Sequence, residues 1–185
     1  MNLTKLFELQ RKLDEHIIKE KGLDGEDLLP KKILALQVEL GELANEWRGF
    51  KYWSKNQNPR TLIIHKDPHG QCEPIKKNPL LEEYVDCLHF ILSIGLELKF
   101  SNLDFMPKYK LKNITDQFNE VFEDISGLRM AILGDWDEQD LFSKYRNVFM
   151  GFVGLGEMLG FTWKQIEQSY LDKNKVNHER QESGY

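Results

Sequence analysis

Apolar residues recur at steps of three and four along most of the chain, and sustained strand-like alternation is scarce. This spacing predicts a first helix over about 2–20, ended near Gly22 and the turn-like sequence LDGEDLLP. A second helix runs from about Pro30, whose fixed φ suits a first turn, to about Trp47. A third covers about 80–98, two more about 113–132 and 138–159, and a last about 162–177, with Thr162 placed to cap it. Between Ser54 and Pro79, SKNQNPRTLIIHKDPHGQCEPIKKNP is rich in Asn, Pro, Lys and Gly and reads as a loop, with a short strand at TLII. Loops of this length are uncommon in compact domains and often serve as lids or binding segments. No internal repeat is visible, and the expectation is all-α: a bundle of about six helices in one domain over 1–185.

Two helices carry acids where their pattern calls for apolar side chains. On the second, Ile33, Leu36, Leu40, Leu43 and Trp47 form one apolar stripe, and Glu39, Glu42 and Glu46 fall on a strip bordering it. On the third, LLEEYVDCLHFILSIGL is apolar on nearly every side, yet Glu83 and Asp86 share a face within it. Glu82 lies outside that register and reads as an ordinary neighbour. An ionised carboxylate in such surroundings is costly unless it is neutralised, paired with a cation or placed at a functional site. Few basic residues lie near in sequence, although a distant Lys or Arg could reach it in space. An isolated E-x-x-E is commonly a solvated helix face; E39-L-G-E42 followed across one loop by E83-Y-V-D86 favours a metal site. All-carboxylate donor sets suit hard cations, so Mg²⁺ or Mn²⁺ is the expected occupant. Mg²⁺ shares its shell with waters and substrate phosphates, which implies a phosphate ester or anhydride as substrate.

Composition narrows the partners. The chain is 41% hydrophobic and 30% charged, with a net charge of −5 and no basic stripe, so duplex nucleic acid is a poor partner. The N-terminal MNLTKLFELQRKLDEHI mixes charge into every turn and is no signal peptide, and no apolar run is long enough to span a bilayer. With only Cys72 and Cys87, the expected compartment is the cytoplasm. HKDPHGQC has metal-binding residue types but no second ligand pair at zinc spacing, and His89 reads as a satisfied core histidine. MGFVGLGEMLGF does not fit a dinucleotide loop and reads as close helix packing, with Glu157 structural.

ELGELANEWRGFKYWS followed by LLEEYVDCLHFILSIGLEL resembles the dimeric all-α dUTPases, within the MazG-like all-α nucleoside triphosphate pyrophosphohydrolase superfamily. F50-K51-Y52-W53 is similar to the family's aromatic-basic stretch near the nucleotide. ELQRKLDE resembles the helix that supplies a glutamine, here Gln10, close to the base. YLDKNKVNHERQESGY is similar to the family's C-terminal tail, which places Lys173, Asn177 and Arg180 in its positions. Those three also share one helical face by spacing, two cations suited to phosphates and an amide suited to a base edge. The stretch 54–78 does not align by motif.

The resemblance implies hydrolysis of dUTP, and of dUDP, to dUMP by a homodimer. Glu39, Glu42, Glu83 and Asp86 would hold two or three Mg²⁺ ions, and Glu39 or Glu42 would accept the proton of the attacking water. Lys51, Lys173 and Arg180 would bind phosphate, Trp53 or Phe50 would stack on the base or close the pocket, and Gln10 and Asn177 would read uracil. Two other readings stay open: the same fold acting on another nucleotide such as dCTP, and a regulatory or interaction protein that binds a nucleotide or a repressor without turnover. Intact E-x-x-E and E-x-x-D motifs speak against the last.

Overall fold

A computed structural model describes residues 3–65, 74–101 and 108–184. It contains α1 (Leu3–Lys21), α2 (Leu29–Trp47), α3 (Pro79–Glu97), α4 (Ile114–Leu133), α5 (Glu138–Met158) and α6 (Trp163–Glu182). A two-stranded antiparallel ribbon, β1 (Ile63–His65) and β2 (Ile75–Lys77), pairs Ile63 with Lys77 and His65 with Ile75. The fold is all-α, as the periodicity predicts. The expected strand at TLII is present, shifted toward His65, and the loop returns through a second strand that the short, basic IKK did not announce. HKDPHGQC falls largely on 66–73, outside the described residues.

Local chemistry sets the helix ends. Gly22, at φ 63°, takes the left-handed position past α1, and the Leu23 N–H donates to the Ile18 carbonyl at 3.0 Å, closing the last turn. Arg48 ends α2 in the same region, its N–H donating to Ala44 at 2.9 Å. Asn78 accepts from the Leu81 N–H with Pro79 just inside the helix, fixing the start of α3. Thr162 forms a capping box with Gln165, as its position predicted for the last helix. That helix runs to Glu182, beyond the expected end near 177. The apolar period fades after Val176, but Glu179, Arg180 and Gln181 are good helix formers and no breaker intervenes before Gly184.

The central element is α3, which packs against α1, α2, α5 and α6. Leu80, Tyr84, Val85, Leu88, Ile91, Leu92 and Ile94 are all buried, so its apolar residues are used on several sides. Close approach to α5 depends on two glycines. A Cβ on Gly95 would run into the Tyr145 ring, whose hydroxyl donates to the Ile91 carbonyl at 3.0 Å. A Cβ on Gly156 would meet Tyr84, which stacks on Phe152 with centroids 4.3 Å apart. The glycine-rich run of α5 therefore serves packing. Glu157, beside it, is ion-paired with Lys108 and Lys110. Between α1, α2, α3 and α6 remains one strip of α3 that no apolar side chain seals, and Glu83, Asp86 and Phe90 lie along it half-buried. Among the described residues, no helix is long and apolar enough to cross a membrane.

Candidate active site

The partly open face of α3 meets the acid strip of α2, and there Glu39, Glu83 and Asp86 each place a carboxylate oxygen within 4.8 Å of the other two. Burial first, and then the charges of Asp86, Glu42 and Glu39, push the Glu83 carboxyl up to about 7. Glu39 is raised by burial and then by Asp86 and Glu42. Such raised carboxyls mark a corner with more negative charge than its surroundings offset. An all-oxygen donor set this close fits a hard divalent cation.

Glu42 is not the fourth member of that cluster. It is exposed on the same strip, near enough for its charge to raise Glu39 and Glu83. Like charges repel in so small a corner, and water holds this carboxylate at lower cost. Glu46, the last acid of the strip, is taken by Arg60 at 2.8 Å, which helps tie 54–62 to the end of α2.

A distant lysine does reach the acids. Lys173 of α6 donates to Asp86 Oδ2 at 2.5 Å. Beyond that pair opens a cleft of about 420 Å³ between α1, α2, α3 and α6, whose walls include Glu39, Asp86, Phe90, Lys173, Asn177 and Arg180. The three tail residues thus line one cavity with two of the acids. Arg180 lies 3.4 Å from the Asn177 amide oxygen.

Gln10 also lines the cleft, but its amide is engaged by the protein. Its Nε2 donates to Asp14 at 2.7 Å, and its Oε1 accepts from the Tyr170 hydroxyl at 2.7 Å. His89 Nδ1 lies 2.7 Å from the same oxygen. Burial first, and then the positive charge of Lys173, lower His89 to about 3, so the ring is neutral. An oxygen cannot donate, so Nδ1 carries the proton and Nε2 is left a buried acceptor with no protein partner among the described residues. His89 is thus a core histidine, stacked on Tyr170 at 4.1 Å, but only one of its nitrogens is satisfied.

Sequence reasoning missed Asp14, Ser93 and Lys32, which line the same cleft. Ser93 donates to Asp14 at 2.6 Å, and Lys32 stands 3.7 Å from Asp14 and 2.6 Å from Glu97. Burial raises the Asp14 carboxyl, while Ser93, Lys32 and Gln10 pull it back down. Spacing held a signal: Asp14 is one turn beyond Gln10, and Asp86, His89, Phe90, Ser93 and Glu97 follow one helical face.

Lys51 and Trp53 are not brought to the cleft walls. Lys51 lies over the Phe50 ring at 5.6 Å, and Trp53 is 65% exposed with its ring edge-on to Phe50. The left-handed turn at Arg48 sends the chain away from α2, so these aromatics form a surface group that joins the core only through Trp47, which stacks on the buried Phe118.

Residues 2–67 and 70–185 match the model of a protein family described as dUTPase. The match continues through most of the stretch 54–78 that motifs alone left unaligned, breaking only at 68–69. No curated protein matches the chain.

Proposed function

The chain belongs to the dimeric all-α dUTPase family, and from that premise we propose that it hydrolyses dUTP, and dUDP, to dUMP with Mg²⁺, removing dUTP from the cytoplasmic nucleotide pool. The observation that carries this reading is the acid triad Glu39, Glu83 and Asp86, of which Glu39 and Asp86 line one cleft together with Lys173, Asn177 and Arg180. Negative ligands for a cation and positive groups for phosphate thus meet in one cavity.

In this mechanism Glu39, Glu83 and Asp86 would hold the metal, with Glu42 joining them from the edge of the site, and the family's chemistry would call for two or three ions. Mn²⁺ can substitute. When bound, the metal neutralises phosphate charge and lowers the pKa of a coordinated water. Glu39 or Glu42 would take the proton of the attacking water. The water's oxygen bonds to the phosphorus next to the α-phosphate as the bond from that phosphorus to the bridging oxygen breaks. So dUMP leaves, and the water's oxygen ends on pyrophosphate from dUTP or on inorganic phosphate from dUDP. Lys173 and Arg180 hold phosphate oxygens, Arg180 through a planar fork that can take two at once. Asn177 offers a carbonyl and an amide to the uracil edge, while Gln10, through Asp14 and His89, keeps the polar end of the cleft in one arrangement. Phe90 provides an apolar wall for the sugar. Lys51 and Trp53 would act only in a conformation that brings 50–53 nearer.

The test is a substrate panel. Pyrophosphate release with Mg²⁺ should be much faster from dUTP than from dCTP, dTTP or UTP, and should stop with a chelator. Equal rates on all four would refute the base assignment while leaving the metal site in place.

A further inference from the structure

Lys173 has two competing uses in this site. Its ammonium is bonded to Asp86 Oδ2 at 2.5 Å, with the side chains of the pair only 23% and 17% exposed. The same side chain lines the cleft, together with Asn177 and Arg180, where a phosphate group would lie. It also opposes the charges that raise Glu39 and Glu83, so its influence covers the whole triad. The ammonium has three N–H donors, but the one on Asp86 Oδ2 occupies a carboxylate oxygen that a metal ion would need. A divalent cation bound to Asp86 would stand beside the ammonium, and two cations on one carboxylate repel.

We propose that Lys173 is a resident counter-ion of the acid triad, displaced by the incoming divalent cation and thereby released to the substrate's phosphates. This rests on the metal reading of Glu39, Glu83 and Asp86. In the metal-free protein Lys173 offsets part of the triad's repulsion and fastens α6 to α3. Metal entry replaces that offset with a stronger one, and the freed side chain, carried on the helix that also bears Asn177 and Arg180, turns to the cleft. Phosphate binding is then coupled to metal binding through one residue: nucleotide without metal meets a lysine already engaged, and metal without nucleotide must first evict it.

Mn²⁺ binding to the nucleotide-free protein, followed by electron paramagnetic resonance, separates this from a simple phosphate-binding role. Lys173→Met should bind Mn²⁺ at least ~tenfold more tightly than the unmodified protein, because the competing charge is gone. Lys173→Arg, which keeps the charge, should stay near the original affinity. Equal or weaker binding by Lys173→Met, beside clear binding by the unmodified protein, overturns the proposal but not the metal site. Absence of Mn²⁺ binding in every form overturns both. Should Lys173→Met fold poorly, the unmodified protein decides: reductive methylation of Lys173, read by mass spectrometry, should quicken on adding Mg²⁺, and an unchanged rate overturns the proposal.

Discussion

Glu83 stands half-buried beside Asp86 and Glu39, and burial together with those like charges lifts its carboxyl to about 7. A Mg²⁺ ion held there would have to displace that proton, so metal affinity should fall as pH drops below about 7, by up to about tenfold per unit. Calorimetric titration with Mg²⁺ on either side of neutrality measures this. The same shift fixes the sign of a stability effect. A folded carboxyl raised above its usual value of 4.5 holds a proton that the unfolded chain has already released, so it favours the folded state at low pH and loses that advantage as pH rises through about 7. The metal-free protein should therefore melt lower near pH 8 than near pH 5.5 from this residue alone, and Mg²⁺ should offset the loss at the higher pH. Melting curves with and without the ion check it. Residue types and spacing were enough to single out Glu83 and Asp86, because acids on an otherwise apolar helix conflict with its pattern. Lys173 as partner of Asp86 was not legible at that level: 87 residues separate the two in the chain, and only the packing of α6 on α3 joins them.

Elements were legible where the apolar period was strong and punctuated. Gly22, Pro79 and Thr162 mark their helix boundaries through backbone conformation and capping, which are local properties. The end of α6 and the ribbon at β1 and β2 lacked such signals. The former continues on helix propensity without an apolar stripe, and the latter is three residues a side, with Ile63 and Ile64 left exposed. Long-range fit appears instead in the glycines of α5. Gly156→Ala would drive a methyl group into the Tyr84 ring, on the turn of α3 between Glu83 and Asp86. We expect a loss of about 1–3 kcal/mol in denaturant unfolding, from overpacking. Reduced Mg²⁺ affinity should accompany it, because the disturbed turn carries two of the three clustered acids.

On the scale of the whole molecule, the family assignment gathers elements that spacing alone left as separate hints: an acid pair on each of two helices, a basic tail and an N-terminal glutamine. The bundle brings Glu39, Asp86 and the tail to one cleft and leaves 50–53 outside it, so the aromatic-basic stretch is the part of the expected site farthest from being assembled by the fold. Chain-wide pattern predicts helices and faces, whereas which faces meet depends on loop paths, and the turn at Arg48 was the path that spacing could not foresee. Assembly belongs to this scale as well. Leu34 and Val38, one turn apart on α2, are 62% and 51% exposed. With the dimeric habit of the family, this leads us to expect twice the chain mass by light scattering, and a single-chain mass would contradict that assembly.

The central claim is that the acid triad performs dUTP hydrolysis, and Glu83→Gln addresses it most directly. The substitution keeps the shape of the side chain, removes one carboxylate charge and relieves repulsion among Glu39, Glu83 and Asp86. In this variant dUTP turnover in saturating Mg²⁺ should fall by at least about a hundredfold, with the melting temperature unchanged or higher. Full activity in a folded Glu83→Gln protein would contradict it.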